Sequence, residues 1–67
     1  MSTQHYTVVG MTCSHCVASV SEEVSEIPGV LGVDVDLASG LLTVRSEEPL
    51  ADLDVETAVT DAGYQLA

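Results

Sequence analysis

Two cysteines, Cys13 and Cys16, are separated by Ser14 and His15 within the run Gly10-Met11-Thr12-Cys13-Ser14-His15-Cys16. Thiols at this spacing can both reach one soft cation. A pair of thiolates with no further obligatory ligand suits the low coordination number that Cu(I) accepts. Structural zinc takes four ligands, and the pair does not close such a site. No carboxylate lies between Gly10 and Cys16 to act as a harder third ligand favouring zinc. Two other uses of the pair fit less well. A thioredoxin-like redox motif belongs to a longer chain, and no tryptophan accompanies the cysteines here. A disulfide across two intervening residues would close too short a loop to stabilise a fold.

Each neighbour of the pair has a bland alternative. Met11 carries a soft thioether that could ligate, but a flexible apolar side chain next to a loop more naturally plugs the core beneath it. His15 faces outward from a first helical turn and reads as solvated, and His5 lies further along the chain from the loop. Tyr64 follows Gly63. Its hydroxyl could limit water access to the sulfurs, or its ring could simply edge the core with a wet hydroxyl, and the sequence leaves both open. No nucleophile is paired with a base and no glycine loop could cradle a phosphate, so no enzymatic pattern is present.

The turn signals divide the chain into four strands and two helices. His5 to Met11 alternates Tyr6, Val8 and Gly10 against Thr7 and Val9 as a strand does. From Ser14 to Ile27 the residues Val17, Val20, Val24 and Ile27 recur at helical spacing, and Pro28-Gly29 ends the helix. This places Cys13 on the loop and Cys16 in the first helical turn, where unsatisfied backbone N–H groups and the positive end of the helix dipole favour a thiolate.

Val33, Val35 and Leu37 alternate with Asp34 and Asp36 in a second strand. Ala38-Ser39-Gly40 makes a hairpin turn into a third, with Leu42 and Val44 facing inward. A second helix carries Val55, Ala58, Val59 and Ala62 on one face. It starts near Asp52, whose carboxylate is expected to cap it, and stops at Gly63. Tyr64 to Ala67 has room for a short last strand. The order strand, helix, strand, strand, helix, strand predicts an α+β, ferredoxin-like βαββαβ sandwich: one four-stranded antiparallel sheet with two helices on one face. The expected core is Tyr6, Val8, Val17, Val20, Val24, Ile27, Val33, Val35, Leu37, Leu42, Val44, Val55, Ala58 and Val59.

The 67 residues suffice for a single domain, 1–67, with a thin core. Apolar residues make up 46% of the chain, too many for a disordered segment. One cation, Arg45, stands against eleven Asp and Glu for a net charge of -10. Nucleic acid is thereby excluded as a partner, and an anionic membrane surface is disfavoured for the same reason. The acidity serves either solubility and salt adaptation or steering toward a basic partner surface. The N-terminal residues lack the basic region and apolar run of a signal peptide, and no stretch reaches membrane-spanning length, so a cytoplasmic location without membrane insertion is expected. Closely spaced cysteines agree with a reducing compartment.

Met11-Thr12-Cys13-Ser14-His15-Cys16 resembles the Met-x-Cys-x-x-Cys signature of the heavy-metal-associated (HMA) domain family. The resemblance continues through Pro28-Gly29-Val30, the valine-aspartate strand from Val33 to Leu37, and Asp61-Ala62-Gly63-Tyr64. It implies a copper chaperone of the bacterial or archaeal type, delivering Cu(I) to a copper-transporting P-type ATPase. Within it Cys13 and Cys16 would be the ligands, Met11 a core anchor, and Tyr64 a neighbour of the metal loop. Two other readings of the same site are a carrier of Hg(II), Zn(II) or Ag(I), and a sensing module in which a Cu(I)-bridged homodimer shares four thiolates. Unlike many relatives, the chain has no lysine near the loop or anywhere else. The helix dipole and backbone N–H groups must then hold an anionic dithiolate centre without cationic help.

Overall fold

The computed structural model describes residues 1–12 and 14–67. The elements are β1 (Ser2–Val9), α1 (Ser14–Ser25), β2 (Val30–Asp36), β3 (Leu41–Ser46), α2 (Asp52–Asp61) and β4 (Gln65–Leu66). The strands form one sheet in the order β2-β3-β1-β4, with every neighbouring pair antiparallel. This is the expected ferredoxin-like sandwich.

Strand register explains which side chains meet. Tyr6 lies opposite Leu42, which lies opposite Val35, and Gln4, Val44 and Val33 form the next row. Residues in such rows share a face because side chains alternate along each strand. That face, with Val8, supports Val20 and Val24 of α1 and Val55, Ala58 and Val59 of α2 in one buried cluster. Both helices therefore cover the same side of the sheet. Each fully buried valine contributes about 1.5 kcal/mol or more to stability, which makes this aliphatic layer the main source of cohesion. The opposite face carries the row His5, Thr43 and Asp34, where His5 Nδ1 lies 3.1 Å from Thr43 Oγ1. On the same face the Arg45 guanidinium lies across Gly32 and would have to shift to admit a Cβ there.

Several expectations need correction. β1 starts at Ser2, earlier than hydrophobic alternation indicates, because Ser2, Thr3 and Gln4 are held by pairing with Ser46, Arg45 and Val44. It ends at Val9, before Gly10 and Met11. Helix α1 stops at Ser25, and the chain tightens through Glu26 N–H to Glu23 O (3.3 Å) and Ile27 N–H to Val24 O (3.1 Å). The following Pro28 disfavours helical backbone at Ile27, which accounts for the early stop. Leu37 is 39% exposed and outside the core, since β2 ends at Asp36. Val17 is only half-buried, and Cys16 takes its place on the inward stripe with Val20 and Val24.

The expected hairpin turn is present and is built from local hydrogen bonds. Asp36 Oδ1 accepts from Ala38 N–H at 3.0 Å, and Gly40 N–H donates to Asp36 O at 2.8 Å. Gly40 has φ 75°, a Cβ there would sit 2.7 Å from Val8 O, and the Gly40 carbonyl accepts from Val8 N–H at 2.8 Å, which holds the two backbones this close. Only glycine meets both demands.

The start of α2 is held differently from the expectation. Ala51 occupies the cap position and makes no side-chain cap, while Asp52 is the first helical residue. Asp52 Oδ1 instead accepts from Tyr6 Oη at 3.0 Å, and Tyr6 Oη accepts from Gln4 Nε2 at 2.7 Å. Gln4 also accepts from Leu50 N–H at 2.7 Å and donates to Leu50 O at 3.1 Å. The chain entering α2 is thus pinned to β1 by side chains. Buried Ser46 closes the same corner, its Oγ donating to Glu48 O at 2.6 Å.

Candidate metal site

Gly10 follows the end of β1 and Ser14 opens α1, so the sheet fixes the chain before the cysteine pair and the helix fixes it from Ser14 onward. Cys13 lies outside the described residues. Cys16 is the third residue of α1 and is 9% exposed, its side chain placed inward by the four-residue steps to Val20 and Val24. The sulfur thus sits at the N-terminal rim of the core, within the first turn, whose backbone N–H groups have no partner inside the helix. Such a position lets a sulfur take up negative charge while most water is kept away.

The surroundings divide as their residue types require. Met11 is half-buried and packs against the core cluster, the anchoring position expected for it. Thr12 is exposed at the backbone turn, yet its Oγ1 lies 4.0 Å from Cys16 Sγ. His15 is exposed, and its carbonyl accepts from Ser19 Oγ at 3.1 Å. His5 sits on the open face of β1, five residues before Gly10, a strand length of about 16 Å. The fold does not bring it to the loop.

Tyr64 approaches Gly10 from the end of α2. Helix α2 ends in two crossed hydrogen bonds, Tyr64 N–H to Val59 O at 3.0 Å and Gly63 N–H to Thr60 O at 2.9 Å. Gly63 has φ 94°, the left-handed conformation this Schellman ending needs. The turn directs Tyr64 toward Gly10: its Cδ1 is 3.6 Å from the point a Gly10 Cβ would occupy, and the ring packs on the core. A shallow hollow lined by Val9, Gly10, Gly63, Tyr64 and Gln65 flanks the contact. Among the described residues, no three His, Cys, Asp or Glu side chains gather where they could hold a metal ion. The contact between Thr12 and Cys16 was missed by sequence reasoning. The signal was available, since residues four apart across a helix start approach one another.

Comparison with known proteins places this arrangement in context. The copper chaperone CopZ of Bacillus subtilis (strain 168) is 38% identical over 61 residues, covering 90% of this chain and 88% of that protein. Copper-transporting ATPase 1 of Rhizobium meliloti (strain 1021) is 38% identical over 63 residues, which are 94% of this chain and 8% of that protein. The solved structure of a CopZ metallochaperone superposes with a TM-score of 0.92 at 31% identity, covering 98% of this chain and 100% of that one. The heavy-metal-associated domain family matches residues 5–65, from β1 through the loop and both helices into β4. A match of that extent, on the same fold, shows that the chain belongs to the heavy-metal-associated domain family.

Proposed function

We propose that residues 1–67 act as one copper-chaperone domain in which Cys13 and Cys16 hold a single Cu(I) and pass it to a copper-transporting P-type ATPase. The observation that carries this reading is the placement of Cys16. It sits at the first turn of α1, shielded by the core, three residues after Cys13 in a sequence that leaves β1 at Val9. Two soft thiolates with no clustered hard ligands suit a monovalent soft ion, and Cu(I) tolerates two-coordination. The likeness both to a copper chaperone and to a segment of a copper-transporting ATPase supports donor and acceptor sites of one kind.

Transfer between such sites requires no change of oxidation state. A thiolate of the acceptor attacks the bound Cu(I), forming a third copper–sulfur bond. One of the bonds to Cys13 or Cys16 then breaks, and the departing thiolate takes up a proton as the incoming thiol has released one. Copper is never released to water, and the driving force is the difference between two similar sites. The charge of -10 gives the chain a preference for a basic acceptor surface. Part of that charge, Glu23, Glu26, Asp54 and Asp61, lines the groove between α1 and α2. No helix among the described residues is long and apolar enough to cross a membrane. We place this transfer in the cytosol, where thiols stay reduced.

Native mass spectrometry of the chain with Cu(I), followed by mixing with a metal-binding domain of a copper ATPase, tests the reading. One Cu(I) on a monomer and its redistribution to the acceptor are expected. A stable two-chain, one-copper species that gives nothing to the acceptor would replace the carrier with a metal-bridged dimer.

A further inference from the structure

The hydroxyl of Thr12 lies 4.0 Å from Cys16 Sγ. We infer that Thr12 is a positioning residue whose O–H donates to the Cys16 thiolate and steadies it while copper is held, an inference that rests on the Cu(I) reading above.

Cys16 is 9% exposed, so water supplies few donors to its sulfur. A dithiolate holding Cu(I) carries a net negative charge, yet the chain has no lysine. Its single cation, Arg45, lies across Gly32 on the open face of the sheet, paired in register with Thr3 near the start of β1 rather than with the loop at its end. Dipoles must therefore replace cations at the site. The α1 N-terminus provides backbone N–H groups, and Thr12 provides a donor that can rotate to follow the sulfur.

The donor's role follows from the chemistry of sulfur. A neutral thiol can donate to Thr12 Oγ1 or accept from it, so the contact is satisfied either way. A metal-bound thiolate has no proton left and can only accept. The hydroxyl must then donate, and a hydrogen bond to a charged acceptor is roughly twice as strong as a neutral one. The contact thus gains strength on metal binding, which ties it to affinity and to the rate of release. Drawing electron density from one sulfur also makes the two thiolates unequal.

The test compares Thr12→Val, which keeps the branched shape and loses the hydroxyl, with Thr12→Ser, which keeps the hydroxyl. Cu(I) affinity is read by competition with a chromophoric Cu(I) chelator, release rate by stopped-flow transfer to it, and sulfur electronics by the thiolate-to-copper charge-transfer absorption. Melting curves verify that both variants fold. Thr12→Val should bind about three- to tenfold more weakly, release correspondingly faster and shift the absorption to lower energy. Thr12→Ser should restore all three. Wild-type affinity and absorption in Thr12→Val would overturn the inference. So would a Thr12→Ser variant as weak as Thr12→Val, since the lost methyl packing would then be responsible. Failure of the unmodified chain to bind Cu(I) would instead overturn the proposed function.

Discussion

Met11 and Cys16 both carry sulfur, both flank the loop, and packing separates their roles. The thioether is half-buried against the aliphatic cluster, whereas the thiol sits at the cluster's rim in the first turn of α1. Replacing Met11 with leucine conserves volume and removes the sulfur, so Cu(I) affinity by chelator competition should stay within about twofold, and any stability loss should stay below about 1.5 kcal/mol. A tenfold or greater fall in affinity would make Met11 a ligand. The cysteine spacing and the core role of Met11 were legible from residue types because each rests on chemistry local to a few positions. The burial of Cys16 was not. A hydrophobic pattern that counts only aliphatic residues assigns the inward stripe to Val17, and the phase of α1 becomes clear only when Cys16 is counted as the small apolar residue it is.

Elements are joined here by a few side-chain hydrogen bonds that sequence patterns do not reveal. The entry to α2 is the example. Asp52 looked like a helix cap because aspartate before an apolar periodic run usually is one. It is instead the first helical residue, and its carboxylate holds the Tyr6 hydroxyl from β1, a pairing 46 positions apart that no local rule anticipates. The six elements and their order were legible, since alternation, helical spacing and glycine or proline stops all act over short range. Their ends were not, because pairing across β1 and β3 extends strands through polar residues such as Ser2 and Thr3.

The Tyr6 bond yields a pH prediction. Burial, then the hydrogen bond to Asp52 and its charge, raise the Tyr6 pKa above the ordinary 10.0. The folded chain therefore keeps this proton more tightly than the unfolded chain. The resulting stability is complete below pH 10 and is lost as pH rises from there through the folded-state pKa. Melting temperature across pH 8 to 11.5 should show an alkaline decline that is shallower in Tyr6→Phe. At neutral pH that variant should be destabilised by about 0.5–1.5 kcal/mol. Parallel alkaline declines in the two proteins would show that Tyr6 does not keep its proton more tightly on folding.

At the scale of the whole molecule, eleven carboxylates and one guanidinium occupy a body whose longest dimension is 30 Å. The screening length is about 10 Å at 0.1 M salt, so moderate salt should weaken mutual repulsion and raise the melting temperature. Association with a basic acceptor should respond in the opposite sense, its rate falling along the same salt series. A transfer rate indifferent to salt would leave the acidity with a role in solubility only, and melting that fell with salt would contradict the repulsion argument. The proposed copper-carrier role requires two thiols and one copper ion per chain. Its most direct test is competition for Cu(I) between a chelator and four forms of the protein: unmodified, Cys13→Ser, Cys16→Ser and the double variant. The unmodified chain should take one Cu(I), each single variant should lose most of the affinity, and the double variant should take none. A double variant that competed like the unmodified chain would contradict the account.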